Sequence, residues 1–241
     1  MSIFDLLFLL VLFVIQPAYG RYAWVHMQRD IAAGHVPDRP RLYLQTMIVQ
    51  WLAFAVLMLG WWWLDRPFAA LGMNLALGPG FAIVAVLTLI SLGTLMVLAW
   101  KSRTASDEEK QTTREALGEL VPVLPQNDRD LHRFYLLSFT AGVVEEVLYR
   151  GFVLWVLAQW MPVWAAVGVS SLAFGLAHGY QGASGVLRTG GIGLLLACAY
   201  VGSGSIWLPI VFHALFDVVQ GVQIRELFRS REASTMRTAE A

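Results

Sequence analysis

Seven apolar stretches, each close to the length needed to cross a bilayer, limit what this chain can fold into. They run over residues 3–19, 42–64, 81–100, 134–160, 163–178, 186–202 and 208–228. A hydrocarbon core roughly 30 Å thick takes about 20 residues of helix. Lipid offers the backbone no hydrogen-bond partner, so such stretches form helices or closed barrels, and their length here predicts helices. Composition agrees: 57% of the residues are hydrophobic and 14% charged, against roughly 25% charged in a soluble domain. The expected fold class is an all-α polytopic membrane protein with about seven transmembrane helices. A formal net charge of zero gives no electrostatic case for a nucleic-acid partner. The single cysteine, Cys198, excludes a disulfide framework within the chain and any multi-cysteine metal site; its expected role is packing.

Tryptophans mark several borders, with Trp61, Trp62 and Trp63 closing the second stretch and Trp100, Trp160 and Trp207 flanking others. Amphipathic rings favour the headgroup zone. Placing the N-terminus outside puts 15 of the 17 Lys and Arg residues in inner segments, leaving Arg66 outside and Arg150 within a span. The positive-inside tendency therefore predicts an N-out, C-in topology. Ala18-Tyr19-Gly20 resembles a leader cleavage site, but Asp5 stands where a leader would carry a basic residue, so the first span is expected to be retained. Three parts are expected: an N-terminal part, 1–133, of three spans and a polar loop; a catalytic four-helix core, 134–229; and a disordered tail, 230–241. No internal repeat is evident.

Ionisable residues are costly near a bilayer centre and usually face a cavity and serve function. The first three spans are almost free of them, which moves the chemistry to the C-terminal half. The fourth span carries Val144-Glu145-Glu146-Val147-Leu148-Tyr149-Arg150. Glu146 and Arg150 are four apart and pair on one helix face. Glu145 is rotated by about 100° from Glu146 and is left as a base or ligand. The fifth span ends Phe174-Gly175-Leu176-Ala177-His178, and the seventh carries His213 and Asp217 four apart on one face. Carboxylates with imidazoles suit water activation. Alternatively, Glu145, His178, His213 and Asp217 are a possible ligand set for a divalent metal, with zinc the expected ion, which would lower the pKa of a bound water.

Glu145-Glu146-x-x-x-Arg150, Phe174-x-x-x-His178 and His213-x-x-x-Asp217, in this order on separate helices, resemble the three motifs of the CPBP family. That family, also called ABI, comprises type II CAAX prenyl endopeptidases and bacteriocin-processing or immunity relatives. Gly204-Ser205-Ile206-Trp207 is similar too, and the resemblance covers roughly 134–228. It implies an intramembrane endopeptidase acting on membrane-associated or lipidated proteins or peptides. Glu145 would activate water with help from His178. His213 and Asp217 would bind the oxyanion or a metal, Glu146 and Arg150 would support the first motif, and Phe174 would pack beside His178. The last position is often asparagine in the family, and ionised aspartate has no N–H to donate; Asp217 instead orients His213, binds a metal or carries a proton. No His-Glu-x-x-His motif or pair of intraspan aspartates points to another protease class.

Two rival readings are a non-catalytic scaffold or bacteriocin-immunity-type protein, and a proton-coupled transporter relaying through Glu145, Glu146 and His213. The expected setting is a lipid bilayer, by default the cell membrane. One geometric demand follows from the motifs. His178 lies near the inner end of its span and His213 near the outer end of its own, so the two meet only if the segment around 203–207 dips into the protein. Irregular backbone at that depth must be buried in protein or wetted.

Overall fold

The computed structural model describes residues 1–75 and 77–239, with side chains to 229. The tail expected to be disordered, 230–241, lies outside the residues whose side chains are described. Among the described residues the secondary structure is helical, without strands. Helix α1 is Ile3–Ala32, with a π-helical turn at Val11–Ile15; α2 is Arg39–Trp63 and α3 is Pro79–Arg103. A short polar helix α4 (Asp107–Leu117) and a 3₁₀ segment (Gly118–Val123) lead to α5. Helix α5 comprises Asp128–Glu146, a π-helical stretch Val147–Val153 and a last turn Leu154–Leu157. Then follow α6 (Val163–Ala177), α7 (Gly182–Ser203) and α8 (Trp207–Ala239).

Seven expected spans correspond to seven helices, with shifted ends. Five stretches among the described residues are long and apolar enough to cross a bilayer: Ile3–Ala32, Arg39–Trp63, Pro79–Arg103, Gly179–Ser203 and Trp207–Arg229. The Val163–Ala177 helix is apolar but shorter. The first helix runs well past the expected end at residue 19, because polar residues suffice for a helix once it leaves the hydrocarbon. Residues 182–185, expected in a loop, open α7 instead.

Helix α5 is the axis of the molecule. Residues 146–154 are buried without interruption, which a helix achieves only when neighbours cover every face. Leu57 and Trp61 of α2, Phe8 and Leu12 of α1, Phe174 of α6, Ile206 just before α8 and Ile210 of α8 join its side chains in one apolar core. The outer helices show lipid their apolar sides, as Ile83, Leu87, Ile90 and Val97 of α3 do. Cys198 corrects an expectation: it is exposed rather than packed, on the same helix as exposed Leu194 and Leu195, while Leu196 and Ala197 are buried.

Polar locks set the register at both ends of the bundle. Arg66, after α2, donates to both carboxylate oxygens of the fully buried Asp5, at 2.6 and 2.8 Å. Its guanidinium also lies over the rings of Trp61 and Trp155. Asp5 thus has a structural partner within the fold. At the opposite end Arg39 donates to the Pro122 carbonyl and pairs with Asp130 at 3.3 Å, and the Tyr43 hydroxyl donates to the Val123 carbonyl. The segment before α5 is therefore fastened to the start of α2.

Between α7 and α8 the chain does dip into protein. Gly204 adopts a left-handed φ of 64° and ends α7, as a residue without Cβ does readily. Ser203, Ser205 and Ile206 are buried. The backbone polar groups of this turn find partners: Ile206 N–H donates to the Gly72 carbonyl at 2.9 Å, and the Ser203 hydroxyl donates to the Ser205 carbonyl at 2.9 Å. Trp207 Nε1 donates to the Met73 carbonyl. The loop after α2 folds in to supply these acceptors, so α8 begins below the surface.

Candidate active site

That low start of α8 brings the motifs together. The Phe174 ring lies 4.9 Å from the His178 ring and 6.1 Å from the His213 ring, so both imidazoles flank one aromatic side chain. Phe174 also packs edge-on against Tyr149 and carries the Arg150 guanidinium 4.3 Å above its face. The expected packing of Phe174 beside His178 is thus present, and the same ring extends to the other two motifs.

Glu146 is the most enclosed member. It is fully buried, and its Oε1 accepts from Arg150 Nη1 at 2.8 Å and from His213 Nδ1 at 2.7 Å. The i,i+4 pairing expected between Glu146 and Arg150 is therefore joined by a bond from α8. Arg150 Nη2 donates to the Gly193 carbonyl of α7 at 3.0 Å, which ties a third helix to the same node. A buried pair of this kind holds only if extra hydrogen bonds share the desolvation cost. Glu146 Oε2 is buried without a protein partner among the described residues. Arg150 lies within the π-helical stretch, a local widening often found at functional sites.

His213 faces carboxylates on both sides. Nδ1 donates to Glu146, and Nε2 stands 3.7 Å from Asp217 Oδ2, one turn along α8. Glu146 rather than Asp217 thus makes the tight orienting contact that was expected from Asp217. Asp217 is half-buried and lies within electrostatic reach of Glu145 and His178 as well as His213. His178 Nδ1 is 2.9 Å from the Phe174 carbonyl. A carbonyl only accepts, so in the neutral ring this contact places the proton on Nδ1 and leaves Nε2 as an acceptor. Glu145, rotated away from Glu146 as expected, accepts at Oε1 from Gln50 Nε2 of α2 at 2.7 Å. It too lies within electrostatic reach of His213.

Glu145, Glu146, His178, His213 and Asp217 therefore surround one region. They do not close on one point: among the described residues no group of three His, Cys, Asp or Glu side chains is placed to hold a metal ion. The four side chains named as possible zinc ligands are not gathered into such a group in this arrangement. The region brings together carboxylates, imidazoles and a guanidinium.

Close backbone packing sets these distances. A Cβ on Gly142 would lie 2.7 Å from Ala214 Cβ and 2.8 Å from the Ala214 nitrogen. Gly142 is one turn before Glu146, and Ala214 follows His213, so this contact fixes the gap that the Glu146–His213 bond spans. Gly142→Ala should push α5 from α8, lower kcat about 10- to 100-fold through misplacement, and destabilise the fold by about 1–3 kcal/mol. Steady-state kinetics and thermal unfolding of the purified variant check both.

Several neighbours were not read from the sequence. Gln50 was passed over because an uncharged amide in an apolar stretch raises no alarm on a charge-based search. Tyr180, whose ring lies 5.9 Å from that of His178 and 5.6 Å from that of Trp24, sits in a segment taken as a loop. Tyr149 donates to Gln16 Oε1 of α1 at 3.3 Å, a contact 133 residues apart in sequence.

Residues 128–219 match the family described as type II CAAX prenyl endopeptidase Rce1-like. That stretch, under half of the chain, is similar to a CAAX prenyl endopeptidase-type domain and lies among helices long and apolar enough to cross a membrane. The matched stretch contains all three motifs and ends two residues beyond Asp217. No curated protein and no solved structure matches the chain.

Proposed function

We propose that this protein is an intramembrane endopeptidase of the cell membrane that hydrolyses a peptide bond of a membrane-associated or lipidated substrate with water activated by Glu145. The observation carrying this reading is the meeting of the three motifs of an Rce1-like domain around Phe174. Glu145 takes a proton from water as the oxygen attacks the scissile carbonyl carbon. His178, with Nε2 free as an acceptor, helps hold that water. The developing oxyanion lies toward His213 Nε2, which donates to it when the ring is an imidazolium with an N–H on each nitrogen; Glu146 accepts the other N–H, at Nδ1. The C–N bond then breaks, and the proton from water passes to the departing amine. General acid–base help of this type is worth about 10²- to 10⁴-fold. Asp217, an acceptor when ionised, adds negative charge 3.7 Å from His213 Nε2, which favours the imidazolium, and does not donate to the oxyanion.

The test uses the purified full-length chain in lipid nanodiscs. A peptide ending in a farnesylated Cys-aliphatic-aliphatic-residue sequence is the first probe, and the same peptide without the lipid is the second. Mass spectrometry should show release of the last three residues from the farnesylated probe. Cleavage of both probes alike would widen the substrate class to membrane-associated peptides generally. Cleavage of neither, together with an unchanged set of protein termini in cells lacking the chain, would overturn the peptidase reading.

A further inference from the structure

Gln50 stands near the middle of α2, 11 residues after its first residue and 13 before its last. At about 1.5 Å per residue it lies roughly 16–20 Å from either end. An amide at that depth must find its partners inside the protein. It finds one: Nε2 donates to Glu145 Oε1 at 2.7 Å. Among the described residues this is the one hydrogen bond the Glu145 carboxylate receives, and Oε2 has no protein donor. Gln50 Oε1, by contrast, is buried with no partner. One residue on, Trp51 Nε1 donates to Thr140 Oγ1 of α5 at 3.2 Å, which pins this turn of α2 against the turn of α5 that leads to Glu145.

A glutamine kept for stability would have both ends of its amide satisfied, because a buried unpaired acceptor loses much of what the other bond gains. Here the unpaired oxygen is tolerated and the paired nitrogen is spent on a carboxylate that the mechanism needs. We infer that Gln50 is a positioning residue: its amide fixes one oxygen of Glu145 and turns the other toward the water it activates. This rests on the reading of Glu145 as the base. Gln50 lies outside the matched stretch 128–219, so the N-terminal helices complete the catalytic apparatus instead of merely enclosing it.

Two substitutions separate positioning from support. Gln50→Met keeps the length and removes the amide; Gln50→Glu keeps the shape and removes the donor N–H when ionised. In nanodiscs, with the farnesylated probe, both should lower kcat about 10- to 100-fold, leave KM within about twofold and, for Gln50→Met, leave the thermal midpoint no lower than wild type. Undiminished kcat in Gln50→Met overturns the inference. So does a kcat loss confined to Gln50→Met and accompanied by a lowered midpoint, which would mark a packing role. A Glu145→Gln enzyme that cleaves like wild type would remove the base assignment and the inference with it. Failure at Gln50 with Glu145→Gln inactive would leave the mechanism standing and reject the positioning role alone.

Discussion

Glu145→Gln is expected to lower kcat by about 10³-fold while the protein folds and holds its substrate. Glutamine preserves the volume and can still meet the Gln50 amide, because its own carbonyl accepts where Glu145 Oε1 did. It cannot take a proton from water at neutral pH, so the loss should fall in the range of general-base removal, about 10²- to 10⁴-fold. KM should change little, since Glu145 acts in the transition state more than in binding. Single-turnover cleavage of the farnesylated probe measures the chemical step directly. A variant that retains a tenth or more of wild-type kcat would move the base to another carboxylate, with Asp217 the next nearest to His213.

Arg150→Met should act through stability. It strips the guanidinium from a fully buried carboxylate and leaves Glu146 with only His213. Breaking one side of a buried ion pair typically costs about 3–5 kcal/mol. It also loses the donor to the Gly193 carbonyl and the contact with the Phe174 face. The double variant Arg150→Met with Glu146→Gln should recover much of the loss, because no unpaired charge remains. Unfolding in a mild detergent, measured for the two singles and the double, gives the coupling directly. Near-additive losses would show that the pair contributes no coupling and that Arg150 acts through packing alone.

How much of this was readable in advance depends on the kind of signal each residue carries. Helices α1, α2, α3 and α8 announce themselves by long, mainly apolar runs, and their existence followed from bilayer thickness. Their ends did not, since a helix such as Ile3–Ala32 continues through polar residues once outside the hydrocarbon. Glu145, Glu146, His178, His213 and Asp217 stood out because ionisable groups are rare at such depth. Their pairing was harder to read. Spacing along one helix suggested Glu146 with Arg150 and His213 with Asp217, and periodicity reports only contacts within a helix. The shorter His213 contact goes to Glu146 across helices, which depends on where α8 starts and how closely Gly142 lets Ala214 approach. Gln50 and Tyr180 escaped because neither carries a charge that would have marked it.

The uninterrupted burial of residues 146–154 bears on how the protein is made. Glu145, Glu146 and Arg150 would each cost roughly 2.5–3.5 kcal/mol if α5 met lipid alone. Their compensation comes from Gln50, which is synthesised earlier, and from Gly193 and His213, which are synthesised later. Partition of α5 into the bilayer therefore depends on partners from both sides of it in the chain. The expectation is that α5 settles fully in the bilayer only once α8 has been made, so that integration and tertiary assembly are coupled.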